Sequence, residues 1–146
     1  SDFPRMQHSY CLGSQYWSQN LHKPNYFAKY GILLDMVGGK DAVFTQELAS
    51  VTFAPQAVKK VWIAAAKLGY GNHFQFQKTQ LIIDDHLYIN NLAQGRVPTI
   101  DIIEHDSSTE SNFYEHWHTH DDNLDNIDKN TLKAVGQTVM QVVYNE

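Results

Sequence analysis

Residues 114–128 read YEHWHTHDDNLDNID, and three imidazoles, His116, His118 and His120, alternate just before a run of acids. In an extended chain alternate side chains share a face, so this spacing could present three nitrogens to one zinc ion. A polar loop with solvated histidines accounts for the same residues, and local spacing does not decide between the two. The acids that follow resemble the first half of a calcium loop. Counted from Asp121, however, the sixth position is Asn126, where the sharp turn needs glycine, and the twelfth is Leu132, where a bidentate glutamate belongs. That pattern excludes calcium. Three more carboxylates stand out. Asp35 ends an apolar run, where an acid is costly to bury unless paired or metal-bound, but it is equally a turn former beside Gly38. Asp84 and Asp85 either cap the helix that begins near His86, or one caps while the other works. Phe113 and Trp117 read most simply as core packing. His8, His22, His73 and His105 have no such context and read as ordinary polar residues.

These residues need elements to position them. KYGILLDMVGG (29–39) is a continuous apolar run closed by a glycine pair, the pattern of a buried central strand, with Asp35 at its C-terminal end. APQAVKKVWIAAAKLGYG (54–71) is a helix: Pro55 suits a first turn, Val58, Val61, Trp62, Ala65 and Leu68 form one stripe, and Gly69 ends it. VPTIDIIEH (97–105) is a second buried strand. DKNTLKAVGQTVMQVVYN (128–145) is a helix capped by Asp128, with Leu132, Val135, Val139 and Val142 inward. SYCLGSQYWSQNLH (9–22) reads as a helix offering Tyr10, Leu12, Tyr16, Trp17 and Leu21 for packing. TQLIIDDHLYINNLAQG (79–95) reads as a short strand, an acid pair and a helix. The alternation of helices and strands predicts an α/β fold with a largely parallel sheet, which places ligands at the carboxyl ends of its strands. Asp35, Asp84, Asp85 and His118 all fall at or after such ends.

The 146 residues are the size of one domain, and 42% apolar content is enough for one core. A formal net charge of -5 argues against nucleic acid or an anionic membrane surface as partner. No apolar run approaches the roughly 20 residues of a spanning helix, and the start SDFPRMQHSY carries no secretory-signal pattern, the expectation for a cytosolic protein or for one whose leader has been removed. The single Cys11 rules out an internal disulfide and reads as a small buried apolar group. The loop-like start, SDFPRMQHS, is the expectation of a chain cut from something longer. From the residues alone, the reading is an α/β hydrolytic or group-transfer enzyme with a candidate zinc site, the solvated-loop alternative still open.

The pieces CLGSQYW, GILLDMVGG, DDHLYI, VPTIDII and FYEHWHTHDDNLDNID, in that order and followed by the closing helix, resemble the C-terminal half of the zinc-dependent exopeptidase fold. That fold is shared by bacterial aminopeptidases and animal-type glutaminyl-peptide cyclotransferases. The resemblance implies a three-layer α/β sandwich, its largely parallel central sheet flanked by helices and here truncated at the N-terminal side, with residues 1–146 forming the C-terminal half of one domain. It makes His118 a zinc ligand and gives His116 and His120 no ligand role. Asp35 matches the aspartate that binds a second zinc in two-metal aminopeptidases and acts as a hydrogen-bonding carboxylate in one-zinc cyclases. Asp84 matches an active-site aspartate that hydrogen-bonds the catalytic acid/base. Phe113, Trp117 and Ile82 match the walls of the substrate pocket.

One zinc is implied if the protein is a cyclase and two if it is an aminopeptidase. Trp117 directly before His118, with Phe113 four residues earlier, favours the cyclase, which turns an N-terminal glutamine into pyroglutamate. A catalytically dead binding domain is the third reading. The family's other ligands, in a His-x-Asp motif and an acid pair, and its catalytic glutamate lie upstream of the LGS helix; residues 1–34 hold only Asp2 and no glutamate. The chain alone is therefore expected to bind zinc weakly, to be inactive and to self-associate through uncovered sheet edges. Its partners are expected to be the N-termini of peptides or proteins and the missing half of its own domain. By the same resemblance, export as a leader-bearing precursor is expected.

Overall fold

The structure, a computed structural model, describes residues 9–146. Along the chain run α1 (Leu12–Gln19), β1 (Gly31–Asp35), β2 (Phe44–Glu47), α2 (Leu48–Phe53), α3 (Pro55–Lys67), β3 (Phe74–Thr79), α4 (Asp85–Leu92), β4 (Thr99–Ile103) and α5 (Lys129–Tyr144). The pairings are parallel: β1 with β4, Gly31 opposite Thr99 through Asp35 opposite Ile103, and β2 with β3. A bridge from Phe44 to Glu104 joins the two pairs. Parallel strands flanked by helices match the predicted α/β class.

The core lies where α3 and α5 cover the strands. Phe44, Phe74, Trp62, Val61, Ile100 and Ile102 are at most 1% exposed. Trp62 meets Phe74 edge-on at 5.5 Å and donates its indole N–H to the Gln75 carbonyl at 2.9 Å, so its polar end is satisfied inside. On α3 the predicted stripe is buried at Val58, Val61, Trp62 and Ala65, but Leu68 lies outside it, 39% exposed. On α5, capped by the Asp128 carboxylate, Val135 and Val142 are buried, Val139 packs against the core and Leu132 is 42% exposed.

Several expectations need correction. The strand before α4 is Phe74–Thr79, and residues 80–83 form none; the apolar run LII marks a cavity wall instead. β2 and α2 were not anticipated. β1 is half-buried, with Leu34 45% exposed, because among the described strands it pairs only with β4. α1 is shorter than residues 9–22, and Leu12 and Tyr16 face outward; the helix meets α4 through small polar side chains, Ser14 donating to Asp85 at 2.5 Å and Ser18 fully buried. His73 is buried, its Nδ1 2.8 Å from the Ala42 carbonyl oxygen. His8 and the start of the loop-like segment lie outside the described residues. Among the described residues no helix is long and apolar enough to cross a membrane.

Candidate active site

The carboxyl ends of β1 and β4, the segment before α4 and the loop after β4 converge on one cavity of about 440 Å³. Its lining includes Asp35, Ile82, Asp84, Phe113, Trp117 and His118, so six residues singled out in the sequence, spread over 84 positions, meet at one place. A larger cleft of about 630 Å³ between α3 and α5 is lined by Lys59, Lys60 and Lys67 and collects none of them.

Each residue arrives by a different local device. Asp35 is the last residue of β1, and the chain turns at once through Met36, held at φ 48. Asp84 is the N-cap of α4 and accepts the Asp85 N–H at 2.7 Å, so the same carboxylate caps the helix and faces the cavity. The loop carrying the imidazoles is a succession of turns, and His118 itself has φ 59. The strip of histidines is therefore not extended and does not share a face: His118 lines the cavity, while His116 packs edge-on against Tyr114 and lies 3.6 Å from Glu115. Left-handed non-glycine residues are strained, and two of them, Met36 and His118, line this cavity.

Phe113, Trp117 and His118 form a shelf of rings, Phe113 and Trp117 at 5.3 Å and Trp117 stacked on His118 at 3.9 Å and 20°. Trp117 is 37% exposed, so its simplest reading, core packing, does not hold. Sequence reasoning gave no site role to Tyr10, Met36, Gln80 and Ser111, which also line the cavity.

Burial pushes the Asp84 carboxyl up; the Asp85 N–H opposes this, and the charges of Asp35 and Asp85 add to it. Cys11 is half-buried rather than an inert apolar group. Its thiol lies 3.9 Å from Asp84, and burial and the Asp85 carboxylate push it up to about 12, so it stays a thiol. Tyr10 is raised by burial and then by Asp84.

The donors in this chain fit a zinc ion only in part. His118 and Asp35 open on the same cavity, yet among the described residues only Cys11, Asp84 and Asp85 bring three ligand-type atoms within 4.8 Å of one another. That trio is already joined by hydrogen bonds among its members and to Ser14. A catalytic zinc takes three protein ligands, and His118 with Asp35 falls short of that number.

Residues 8–143 match the family model of peptidase family M28. Among solved structures, a Bacteroides thetaiotaomicron glutaminyl cyclase bound to N-acetylhistamine is 54% identical with a TM-score of 0.92; the match covers 100% of this chain and 49% of that one. A leucine aminopeptidase precursor from the same species is 53% identical with a TM-score of 0.89, covering 100% and 48%. A Zn-dependent exopeptidase from Parabacteroides distasonis is 48% identical with a TM-score of 0.91, covering 100% and 49%. A search of curated proteins gave no match. The chain spans about half the length of these solved structures. Matched over nearly all its length, it belongs to peptidase family M28.

Proposed function

We propose that this chain forms the substrate-binding side of a zinc-dependent glutaminyl-peptide cyclotransferase, which closes an N-terminal glutamine to pyroglutamate. The observation that carries the reading is the shelf of Phe113, Trp117 and His118, facing Asp35 and Asp84 in one cavity. In the reaction the α-amine attacks the side-chain amide carbon, a C–N bond forms, the amide C–N bond breaks, and the amine's proton leaves with the nitrogen as ammonia. No outside water is consumed, and a cavity with apolar walls suits such a step.

The residues of this chain bind, orient and exclude water. Trp117 and Phe113 pack on the glutamine side chain and, with Ile82, hold its carbonyl and amine in the folded geometry that ring closure needs. Asp84 and Asp35 accept hydrogen bonds from the amine side and orient the acid that carries the proton, which we place outside this chain. His118 contributes one ligand to a zinc completed from outside this chain, and that ion when bound polarises the carbonyl.

The 53% identity to a leucine aminopeptidase precursor supports a second reading, in which the same scaffold hydrolyses the first peptide bond and Asp35 holds a second metal. The test uses the full-length enzyme incubated with one peptide beginning in glutamine and one beginning in leucine, followed by mass spectrometry. Loss of ammonia from the glutamine peptide alone is the expected result. Loss of a residue from the leucine peptide establishes the aminopeptidase instead, and no change in either leaves only the binding domain.

A further inference from the structure

Beneath the cavity lies a buried chain of two acids and one imidazole that plays no part in the chemistry above. His86, in the first turn of α4, is 0% exposed; its Nε2 is 3.0 Å from a Glu47 carboxylate oxygen and its Nδ1 is 3.5 Å from Asp101. Both acids are also 0% exposed. We propose that this Glu47–His86–Asp101 chain is the positioning device of the site, fixing Asp84 and Ile82 against the end of β4; the inference rests on the reading of the cavity as the active site.

The connections run directly to the cavity lining. Glu47 accepts from the Ile82 N–H at 3.4 Å, from Ala49 N–H at 2.8 Å and from Ser50 N–H, besides facing His86. One carboxylate thus caps α2, holds the backbone of a cavity residue and grips the residue two places after Asp84. Asp101 lies two residues before Ile103, another lining residue, and its backbone N–H donates to the Ser50 hydroxyl oxygen at 2.8 Å. Glu47 thus ties residues 80–84 to α4 through hydrogen bonds, and β4 meets the same imidazole through the 3.5 Å contact of Asp101 with Nδ1, two groups without another hydrogen-bond partner among the described residues.

A trio of this kind is a poor source of stability. Replacing buried ionic groups by apolar ones of like volume is commonly neutral or stabilising, because desolvation offsets their attraction. What such a network supplies is a single geometry. Burial, then the charges of Asp84, Asp35, Glu47 and Asp85, pushes Asp101 well above the ordinary carboxyl range, which favours the neutral acid beside Nδ1. For Glu47 burial acts upward, but hydrogen bonds from His86 and Ser50 outweigh it and keep the carboxylate ionised.

The test compares His86→Leu, Asp101→Leu and Asp101→Asn in the full-length enzyme, with Val135→Ala as a core change elsewhere. Both leucine variants are expected to lower kcat by about tenfold or more while KM moves less than about threefold, at unchanged zinc content. Asp101→Asn, a neutral isostere of the protonated acid, is expected to restore kcat to within about threefold, and Val135→Ala to leave it unchanged. Folded leucine variants with unaltered kcat, or an Asp101→Asn variant as impaired as Asp101→Leu, overturn the proposal. If His86→Leu does not fold, Asp101→Leu, which leaves the Glu47 bond intact, carries the test. Should the enzyme act on the leucine peptide, the cyclase reading fails; the same kcat-against-KM comparison on that substrate still decides the positioning role.

Discussion

Two clusters of three rings each contain a tilted pair of nearly the same geometry, in opposite surroundings. In the core, Phe44 and Phe74 lie 5.1 Å apart at 52°, and Trp62 meets Phe74 at 5.5 Å; the three are at most 1% exposed. In the cavity, Phe113 and Trp117 lie 5.3 Å apart at 50°, and Trp117, stacked on His118, is 37% exposed. The geometry of the tilted pair is therefore not what separates them. The core rings are carried by β2, β3 and α3, and all three are buried among protein side chains. The cavity rings are carried by turns and leave faces open. Packing energy scales with area removed from water, so the first cluster builds the fold while the second has surface left to give a ligand.

Truncating one tryptophan in each cluster is the strongest way to break this comparison. Trp62→Ala is expected to destabilise the protein by about 3–5 kcal/mol, since it removes a fully buried indole and leaves a cavity. Trp117→Ala is expected to cost less than about 1 kcal/mol of stability but to lower kcat/KM by about 10–100-fold. Urea unfolding and steady-state kinetics on the two variants check both halves. A large stability loss at Trp117 with unaltered kinetics makes the shelf a second core and removes the proposed pocket.

The two regions differed in how far they could be read from the sequence. α3, α5 and β4 were legible because a helical stripe or an unbroken apolar run survives without tertiary knowledge. β2 was not: its residues FTQE include Thr45 and Glu47, buried only because Thr79 and four N–H groups or ring nitrogens await them. β3 was displaced for a related reason. FQFQKT alternates, but Phe76 is 62% exposed, and the more apolar LII drew the strand onto what is a cavity wall. At the site, resemblance to a family supplied Asp35, Asp84, Phe113, Trp117, Ile82 and His118, and the structure gathers these around one cavity. Spacing misled where it assumed an extended chain, since left-handed His118 ends the alternation. The buried trio lay in no motif, although an acid inside the apolar run VPTIDII was a usable signal.

Glu104 stands where the regions join, just after β4 and bridged to Phe44. It is 5% exposed, and burial, then Asp106, raises its carboxyl from 4.5 to about 7. A raised acid means that the folded state binds more protons than the unfolded one between those values. Stability should therefore fall as pH rises from about 4.5 to about 7 and level off above, a penalty on the order of 3 kcal/mol. Glu104→Gln, which imitates the neutral acid, should be level across that window and gain over the native protein as pH rises. Unfolding at pH 5 and pH 8 measures it; equal slopes in the two proteins would show that Glu104 ionises at its ordinary value.

The smallest expected effect has opposite signs in the two regions, which sharpens the comparison at the level of the backbone. Met36, after Asp35 at the cavity, holds φ 48, a conformation that costs any side chain with a Cβ; Ala64, within α3, holds ordinary helical geometry. Comparing Met36→Gly with Met36→Ala removes the thioether in both and leaves only the backbone preference. Glycine should be the more stable of the two by about 1 kcal/mol, because relief of the left-handed strain exceeds the entropy glycine adds to the unfolded chain. At Ala64 the same exchange, Ala64→Gly, should cost about 1 kcal/mol, because there is no strain to relieve and only the entropy remains. A destabilising glycine at both places would mean that the turn beside Asp35 is relaxed, and the cavity rim would then differ from the core only in what its side chains touch.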